Sequence, residues 1–376
     1  MREDPSVTDA PWDVLVVGAG PAGAAAARAA ALSGARTLLV EREQLPRYKR
    51  CGGGLIGPSQ QALAAAGLDV PALSRDHVGR ITFTSRGRQR FTRMAPAFLP
   101  MVLRSELDAA LVEAAVAAGV QVRTGVTVTA YDQDGDLVAV GTRSGPLLAR
   151  AVVAADGSGS RAATHVGVVC DQVDLGMEAE LPTPAGSDWD GHVLLDWGPV
   201  PGSYGWVFPK GDTLTVGVIG ARAQGGAVRA YYRDFVASLG LDLGTALHDG
   251  GHLTRVRAPG SPLQRGQVLV AGDAAGLLEP WTREGISFAL RSGRLAGEHA
   301  LTGGYAQAVQ AELGHEVAAG RRALAAFTRH PGAVHTVMRV VPPMWPLFTR
   351  LVAGRTSMSD QLQRRPVRAL IGALGG

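Results

Sequence analysis

The sequence of 376 residues contains only two cysteines, Cys51 and Cys170. Two cysteines cannot build a disulfide framework or a cysteine-rich metal site. The nine histidines show no spacing typical of metal ligands, so we expect no bound metal. Lysine-rich tracts are also missing and the formal net charge is only +4, which argues against nucleic acid as a partner.

Hydrophobic runs long enough to span a bilayer are absent, and residues 1–11 lack the apolar core of a signal peptide. Charged residues make up 19% of the chain and hydrophobic residues 46%, a balance that excludes a disordered chain. The length permits one large or two medium domains. We therefore expect a globular cytoplasmic protein, with peripheral contact at the inner face of the membrane as an alternative.

The strongest pattern that is present lies in residues 13–42. It consists of an apolar strand, the turn Gly18-x-Gly20-x-x-Gly23, an alanine-rich helix and a second strand that ends at Glu41. Gly18 allows the tight turn, Gly20 lets a pyrophosphate approach the backbone, and Gly23 brings helix and strand together. The helix N-terminus favours an anion, and the acid can accept the hydroxyls of an adenosine ribose. The stretch predicts a dinucleotide site.

Two later strand-turns share this character. One ends at Asp156 and the other at Gly272-Asp273, and a helix opens after the second at Gly285-Ile286. In this order, the three segments resemble the flavoprotein-hydroxylase superfamily, in which they hold one FAD. The resemblance implies that Asp273 contacts the ribityl and pyrophosphate side. It also implies that the helix beginning at Ile286 directs its dipole at the flavin, which stabilises the anionic reduced ring.

A further pair of motifs narrows the class. The run Cys51-Gly52-Gly53-Gly54 lets backbone approach a flat or charged group closely. The second motif, Tyr204-x-Trp206-x-Phe208-Pro209-Lys210, places three aromatic rings on one face of a strand, either as a wall for an acyl or prenyl chain or as a face packed on the core. Both motifs resemble the geranylgeranyl reductase family, which saturates isoprenoid double bonds with reduced FAD. In that family the aromatic motif is associated with the prenyl chain and closes on Gly-x-Gly, whereas here the closing residues are Gly217-Val218-Ile219.

The candidate site residues follow from these motifs and resemblances. The catalytic candidates are Cys51, Tyr204 and Trp206. The substrate-binding candidates are Tyr204, Trp206, Phe208 and Pro209. The expected FAD-binding residues are Gly18, Ala19, Gly20, Gly23, Glu41, Arg42, Arg50, Cys51, Gly52, Arg104, Val126, Asp156, Gly272, Asp273, Gly285 and Ile286.

Several roles stay open at this stage. Cys51 is either a functional thiol near the flavin or a small inert side chain beside a glycine turn. Cys51, Tyr204 and a bound water are alternative proton sources. Arg104 contacts the FAD or begins a helix in solvent, and Arg283 stands where hydroxylases often carry glycine. The single complete dinucleotide motif is assigned to FAD, so the external reductant is NAD(P)H or a protein such as reduced ferredoxin.

The fold expected from these patterns is a mixed α/β (α+β) protein: a Rossmann-like FAD-binding domain, an inserted antiparallel β-sheet substrate domain and a helical C-terminus. A hairpin is predicted around Arg86-Gly87-Arg88, and a short separate strand at residues 101–104. The FAD-binding domain is assigned to residues 1–78, 101–170 and 259–328, the substrate domain to residues 79–100 and 171–258, and the helical segment to residues 329–376.

The C-terminal segment carries an apolar stripe at helical spacing, formed by Trp345, Phe348 and Val352. This pattern suits either an amphipathic contact with an anionic membrane surface or a helical cap on the FAD-binding domain. The basic residues around it are Arg339, Arg350, Arg355, Arg364, Arg365 and Arg368.

The function expected is the FAD-dependent saturation of carbon–carbon double bonds in an isoprenoid chain. The alternative is an FAD-dependent monooxygenase or halogenase on an aromatic or terpenoid molecule. A non-catalytic prenyl carrier that keeps FAD for structure is a third hypothesis. The sequence leaves open which isoprenoid is used, how many bonds are reduced and the oligomeric state.

Overall fold

A computed structural model describes residues 10–364 and residue 367. Within these residues the chain forms two β-sheets with helices around them. The strands are β1 Trp12–Val17, β2 Thr37–Val40, β3 Ser74–Ser85, β4 Arg88–Val102, β5 Gln121–Arg123, β6 Val128–Asp134, β7 Leu137–Thr142, β8 Leu147–Ala154, β9 Cys170–Pro182, β10 His192–Trp197, β11 Tyr204–Lys210, β12 Thr213–Ala221, β13 His248–Arg257, β14 Gln264–Arg265 and β15 Val268–Val270.

The helices lie against both sheets and at the C-terminal end of the described chain. They are α1 Pro21–Leu32, α2 Gly57–Ala65, α3 Val70–Leu73, α4 Arg104–Ala117, α5 Arg161–Val166, α6 Gly225–Ser238, α7 Ile286–His299, α8 Tyr305–Arg329, α9 Pro331–Val340, α10 Met344–Val352 and α11 Met358–Gln363.

The first sheet has the strand order β14-β15-β8-β1-β2-β5, and β7 joins it by pairing with β8 and with β6. Strand β1 runs parallel to β2 and β8, and β15 runs parallel to β8. Apart from Asp13, Thr37 and Arg150, the residues of these strands are apolar, because both faces of the strands are largely buried. Their carboxyl ends therefore meet at one edge, where Gly18, Glu41, Asp156 and Gly272 follow them directly.

Helix α1 packs closely on helix α7 because the facing residues are small. A Cβ atom at Gly293 would lie 2.1 Å from the carbonyl oxygen of Ala22, and one at Gly297 would lie 2.2 Å from that of Ala26. The alanine-rich sequence of α1 thus serves helix packing as well as the sheet. This close approach places the N-terminal ends of both helices beside the carboxyl edge of the first sheet.

The second sheet has the order β13-β9-β12-β11-β10-β3-β4 and is antiparallel except between β10 and β3. It confirms the predicted antiparallel sheet, and the hairpin turn lies where Ser85 pairs with Arg88. Two expectations are corrected. Residues 101–102 end the long strand β4 instead of forming a separate strand, and β13, which the sequence pattern did not indicate, extends the sheet at its edge.

The two faces of the second sheet have different partners. Helix α6 covers one face, where Tyr231 and Phe235 pack on Val207 and Val216. The alternation of side chains along the strands turns Trp206 and its neighbours to the opposite face. That opposite face is the one toward the carboxyl edge of the first sheet.

The C-terminal helices pack on the outer part of the second sheet. Phe348 lies 5.7 Å from Phe83 between ring centroids, and the indole of Trp345 donates a hydrogen bond to the carbonyl of Met94. Val352 packs against the same apolar cluster, so the predicted stripe is used by the fold itself. Arg365 and Arg368 lie outside the described residues. Among the residues that the structure describes, no helix is long and apolar enough to cross a membrane.

Candidate active site

A cavity of about 1630 Å³ lies between the carboxyl edge of the first sheet and the aromatic face of the second. One arm is formed by the glycine turn after β1, and the other is lined by Tyr204, Trp206 and Phe208. The cysteine-glycine loop lies where the two arms join. The predicted dinucleotide and chain sites are therefore brought into one continuous space.

The turn after β1 requires glycine for the reasons the motif predicted. Gly18 has a φ of +98°, and a Cβ atom there would lie 2.5 Å from the carbonyl oxygen of Ala155. A Cβ atom at Gly23 would lie only 1.7 Å from the carbonyl oxygen of Gly18. Glu41 is buried and accepts a hydrogen bond of 2.8 Å from the backbone N–H of Ala19. The acid and the turn therefore support each other at the adenosine end.

Two guanidinium groups flank the same turn. A Cβ atom at Gly20 would lie 3.7 Å from Arg47 Nη2 and 3.8 Å from Arg104 Nη2. Asp108 is fully buried, accepts two hydrogen bonds from Arg104 at 2.8 and 2.9 Å, and lies 3.2 Å from Arg47 Nη1. Burial alone would lower the pKa of Arg104, but the Asp108 carboxylate outweighs it and raises that pKa. The open backbone at Gly20 between two fixed cations fits a pyrophosphate.

The second and third segments complete the cofactor arm. Asp156 lines the cavity, and its buried Oδ1 has no hydrogen-bond partner among the described residues. Asp273 also lines it, where burial raises the pKa of the carboxyl while Lys49 and Arg104 act to lower it. Gly285 precedes helix α7, and a Cβ atom there would lie 3.6 Å from Asp273 Oδ1. These groups line one cavity, and the contacts to FAD that the resemblance implies for them stay a prediction.

Not every predicted residue reaches the cavity. Those that line it are Gly18, Gly20, Glu41, Arg42, Arg50, Cys51, Gly52, Arg104, Val126, Asp156, Tyr204, Trp206, Phe208, Asp273, Gly285 and Ile286. Ala19, Gly23 and Gly272 instead shape the turns behind it. Pro209 is a correction: it alternates to the other face of β11, where it pairs with Leu214 and is buried.

The glycines after Cys51 allow close packing of the loop on the aromatic strand. A Cβ atom at Gly52 would lie 2.6 Å from the ring of Phe208, and one at Gly53 would lie 2.2 Å from the carbonyl oxygen of Val102. Lys210 holds the loop by donating a hydrogen bond of 3.1 Å to the carbonyl of Cys51. The flat group close to Gly52 is the Phe208 ring, and the charged group close to Gly53 is Lys210. Both groups belong to the protein itself.

The aromatic motif forms a continuous wall. Ring centroids are 5.8 Å apart between Tyr204 and Trp206, and 6.2 Å apart between Trp206 and Phe208. Gly217 makes room for the indole, since a Cβ atom there would lie 2.4 Å from Trp206 Cζ2. Ile219, which replaces the second glycine of the family pattern, adds an apolar side chain to the cavity lining next to Tyr204.

Arg283 occupies a backbone conformation that favours glycine, with a φ of +56°. Its buried guanidinium forms an ion pair of 3.0 Å with Asp174 and donates hydrogen bonds to the carbonyls of Gly202 and Trp281. It also lies 5.8 Å from the ring centre of Tyr204. These contacts compensate for the conformation and fix the loop before α7 against the aromatic wall.

Several residues in the cavity or buried behind it were not singled out from the sequence. Asp108 carries an available signal, because it follows Arg104 by four residues on one helix face. Arg47 and His252 have no comparable pattern. Glu178 is 1% exposed and lines the cavity, and within the described chain no side chain donates a hydrogen bond to its carboxyl oxygens. Burial raises the pKa of Glu178 to about 7, against the lowering effect of Lys210.

Comparison with known proteins shows the fold class of the chain. A model of the FAD binding domain family matches residues 11–182. The geranylgeranyl bacteriochlorophyll reductase-like protein of Thermoplasma acidophilum superposes with a TM-score of 0.73 at 22% identity, over 85% of this chain and 88% of that one. A flavin-dependent brominase superposes with a TM-score of 0.74 at 19% identity, over 97% and 98%. The chain therefore has the fold of FAD-binding flavoproteins, which alone does not choose between their reactions.

Sequence relatives are more specific. The digeranylgeranylglycerophospholipid reductase of Methanocaldococcus jannaschii is 30% identical over 76% of this chain and 76% of its own. The menaquinone reductase of Mycolicibacterium smegmatis is 31% identical over 78% of this chain and 77% of its own. The chloroplastic geranylgeranyl diphosphate reductase of Oryza sativa is 30% identical over 77% and 66%. The chain belongs to the geranylgeranyl reductase family and is an FAD-dependent oxidoreductase.

Proposed function

We propose that this enzyme saturates carbon–carbon double bonds of an isoprenoid chain at the junction of its two cavity arms. The observation that carries the proposal is the continuity between the pyrophosphate seat at Gly20 and the aromatic wall at Trp206. Relatives named for geranylgeranyl and menaquinone reduction support an isoprenoid substrate. Bound FAD, once reduced, supplies hydride.

The residues of this chain would hold the cofactor at three places. The turn at Gly18 and Gly20, together with Arg47 and Arg104, would take the pyrophosphate, and Glu41 would take the adenosine ribose. Asp156 and Asp273 would line the middle of the cofactor. Helix α7, beginning at Ile286, would direct its N-terminal dipole toward the flavin. NAD(P)H or reduced ferredoxin would reduce the flavin, and no second complete dinucleotide motif is present in the sequence.

The remaining cavity residues would position the alkene and keep the site dry. An isolated alkene is a poor hydride acceptor, so the reaction depends on orientation and on exclusion of water. Tyr204, Trp206 and Phe208 provide an apolar wall, and Trp281 and Phe348 line the same cavity. Cys51 stands at the junction of the arms, where it would face both cofactor and chain. The hydroxyl of Tyr204 donates to the carbonyl of Thr282, which fixes the first ring of the wall.

Three further proposals concern the domain bounds, the C-terminal helical segment and membrane contact. Residues 1–78, 101–170 and 259–328 would form the FAD-binding domain, and residues 79–100 and 171–258 the substrate domain. The strands of the second sheet begin and end within a few residues of these bounds, at 74–102 and 170–257. The helical segment from residue 329 would close the chain-binding arm, since Phe348 and Val352 line the cavity. Peripheral membrane contact through the C-terminus stays a proposal.

The experiment that tests the function is anaerobic reoxidation of the reduced enzyme by geranylgeranyl diphosphate, followed by flavin absorbance. Reoxidation with a product heavier by two hydrogens per bond supports alkene reduction. Oxygen-dependent NAD(P)H consumption with an aromatic or terpenoid substrate, and no anaerobic reoxidation, would instead support the monooxygenase. Prenyl binding without any reoxidation would support a carrier.

A further inference from the structure

The reduction needs an acid as well as a hydride donor, and Glu178 is placed to be that acid. Glu178 pairs across the sheet with Gly217, the residue over which the Trp206 indole lies. Paired residues on neighbouring strands direct their side chains to the same face, so the carboxyl shares the face of the aromatic wall. It lines the cavity beside the Cys51-Gly52 loop, at the junction of the two arms.

The surroundings of Glu178 favour a neutral carboxyl. Its side chain is 1% exposed, and no side chain among the residues described donates a hydrogen bond to either oxygen. Burial is the largest effect on the pKa of Glu178 and raises it, while Lys210, Arg50 and the backbone N–H of Cys51 act to lower it. A buried carboxylate with so few partners is costly, so such a group takes up a proton. The charged and titratable groups that face it from neighbouring elements are Glu180, Lys210, Arg50, Tyr48, Tyr232 and Cys51.

Lys210 offsets the burial of Glu178 only in part, because the lysine also contacts other groups. Its ammonium is 3.4 Å from Glu180 and donates to the carbonyl of Cys51. Glu180 also repels a second negative charge and acts to raise the pKa of Glu178. Glu180 therefore pairs with Lys210, whereas Glu178 faces the cavity.

Two other candidate acids, Tyr204 and His252, are less suitable. The hydroxyl proton of Tyr204 is donated to the carbonyl of Thr282, and burial raises the pKa of that phenol. His252 lines the cavity, but burial lowers its pKa to about 4, so it is neutral near pH 7. Glu178 alone among these three combines a protonated state near neutrality with a carboxyl that no other side chain holds.

We propose that Glu178 is the catalytic acid that protonates the alkene during its reduction, an inference that rests on the proposed function. One alkene carbon takes the hydride, for which reduced flavin is the two-electron donor. The π electrons form the second C–H bond with the proton of the Glu178 carboxyl, whose O–H bond breaks. Carboxylate remains and is protonated again from solvent after the product leaves. Atoms and electrons balance with one saturated bond and one oxidised flavin.

The test compares wild type with Glu178→Gln, which keeps the shape of the side chain but cannot supply the acid proton. We expect anaerobic reoxidation by geranylgeranyl diphosphate to slow by ~100-fold or more, as for the loss of a general acid. Affinity for FAD and for the prenyl chain should change little. Glu113→Gln, on an exposed position of α4, is the matched control and should react as wild type.

A second readout does not depend on turnover. Infrared difference spectra between wild type and Glu178→Gln should contain a protonated carboxyl band below pH 7 that converts to a carboxylate band above it. Glu180→Gln should move this conversion to lower pH, since it removes a neighbouring negative charge.

Either of two results overturns the inference while the proposed function stands: reoxidation of Glu178→Gln at the wild-type rate, or a carboxyl that is already ionised well below pH 7. If wild type itself is not reoxidised by the prenyl alkene, the proposed function fails and the acid role fails with it.

Discussion

Asp108 accepts two hydrogen bonds from the Arg104 guanidinium and lies 3.2 Å from Arg47, so one buried carboxylate orients two cations toward Gly20. A single arginine in solvent would adopt many rotamers. Two arginines tied to one buried acid present their remaining N–H groups in a fixed direction. The proposed pyrophosphate seat would therefore be built by the protein alone, with Asp108 as its positioning residue.

Asp108→Asn should weaken FAD binding about 10- to 100-fold, because it removes a charge-assisted contact that orients both arginines. The measurement is titration of the apoprotein with FAD, followed by flavin fluorescence. Glu106→Gln lies on the same helix but pairs outward with Arg75, and it should bind FAD as wild type does. Unchanged affinity in Asp108→Asn would show that the pair does not orient the seat.

Gly52→Ala should destabilise the junction of the arms, since its methyl group would lie 2.6 Å from the Phe208 ring. Overpacking of this kind costs roughly 1–3 kcal/mol of unfolding free energy and should also weaken prenyl binding. Thermal unfolding and binding of geranylgeranyl diphosphate measure the two effects. Gly226→Ala is the control, because nothing lies within 4 Å of a Cβ atom there. A fully stable Gly52→Ala with normal binding would contradict the packing account.

Trp206→Leu should weaken binding of a long prenyl chain by about 10-fold or more, because a large ring is lost from the middle of the aromatic wall. FAD affinity should be nearly unchanged, since the indole belongs to the chain-binding arm. Equilibrium binding of chains of different length gives the comparison. Trp189→Leu is the matched control, as Trp189 packs on the α6 side of the sheet. Equal losses in both variants would indicate general destabilisation and not a chain site.

The contribution of Glu178 to the stability of the protein should fall as pH rises from about 4.5 to 7. Burial raises the pKa of this acid from 4.5 to about 7 in the folded protein. In that window the unfolded chain releases the proton while the folded chain keeps it, so raising pH favours unfolding. The contribution is about 2–4 kcal/mol, present in full below pH 4.5 and lost above pH 7.

Chemical denaturation of wild type and Glu178→Gln across this range measures the contribution of Glu178. The difference in unfolding free energy between the two proteins should change with pH in the stated direction. A difference that stays constant from pH 4.5 to pH 7 would show that the carboxyl is not shifted. A difference of opposite slope would mean that its charged form is stabilised.

The local patterns predicted much of this molecule because their physics is local. The turn at Gly18 and the alternation along Tyr204–Lys210 depend on backbone sterics and strand geometry, and both are observed. The edge strand β13 was missed because it contains Gly250 and Gly251 and is only partly buried. Glu178 was not predicted because its position in the cavity depends on which residues lie across the sheet. Only the strand register shows that Glu178 pairs with Gly217, which has no side chain to fill the space beside the carboxyl.

The apolar stripe in the C-terminal segment also shows what a sequence pattern cannot predict. Trp345 and Phe348 have the spacing of an amphipathic helix, but spacing does not say what covers the apolar face. In the structure that face packs on Phe83 and Phe98 of the second sheet. An amphipathic pattern is satisfied equally by a membrane or by a sheet, and here the sheet supplies the partner.

Anaerobic reaction of the reduced, FAD-loaded protein with geranylgeranyl diphosphate tests the central claim most directly. The account predicts reoxidation of the flavin in step with a prenyl product that has gained two hydrogens for each bond reduced. A flavin that stays reduced in the presence of bound prenyl chain, and reoxidises only when oxygen is admitted, would contradict it.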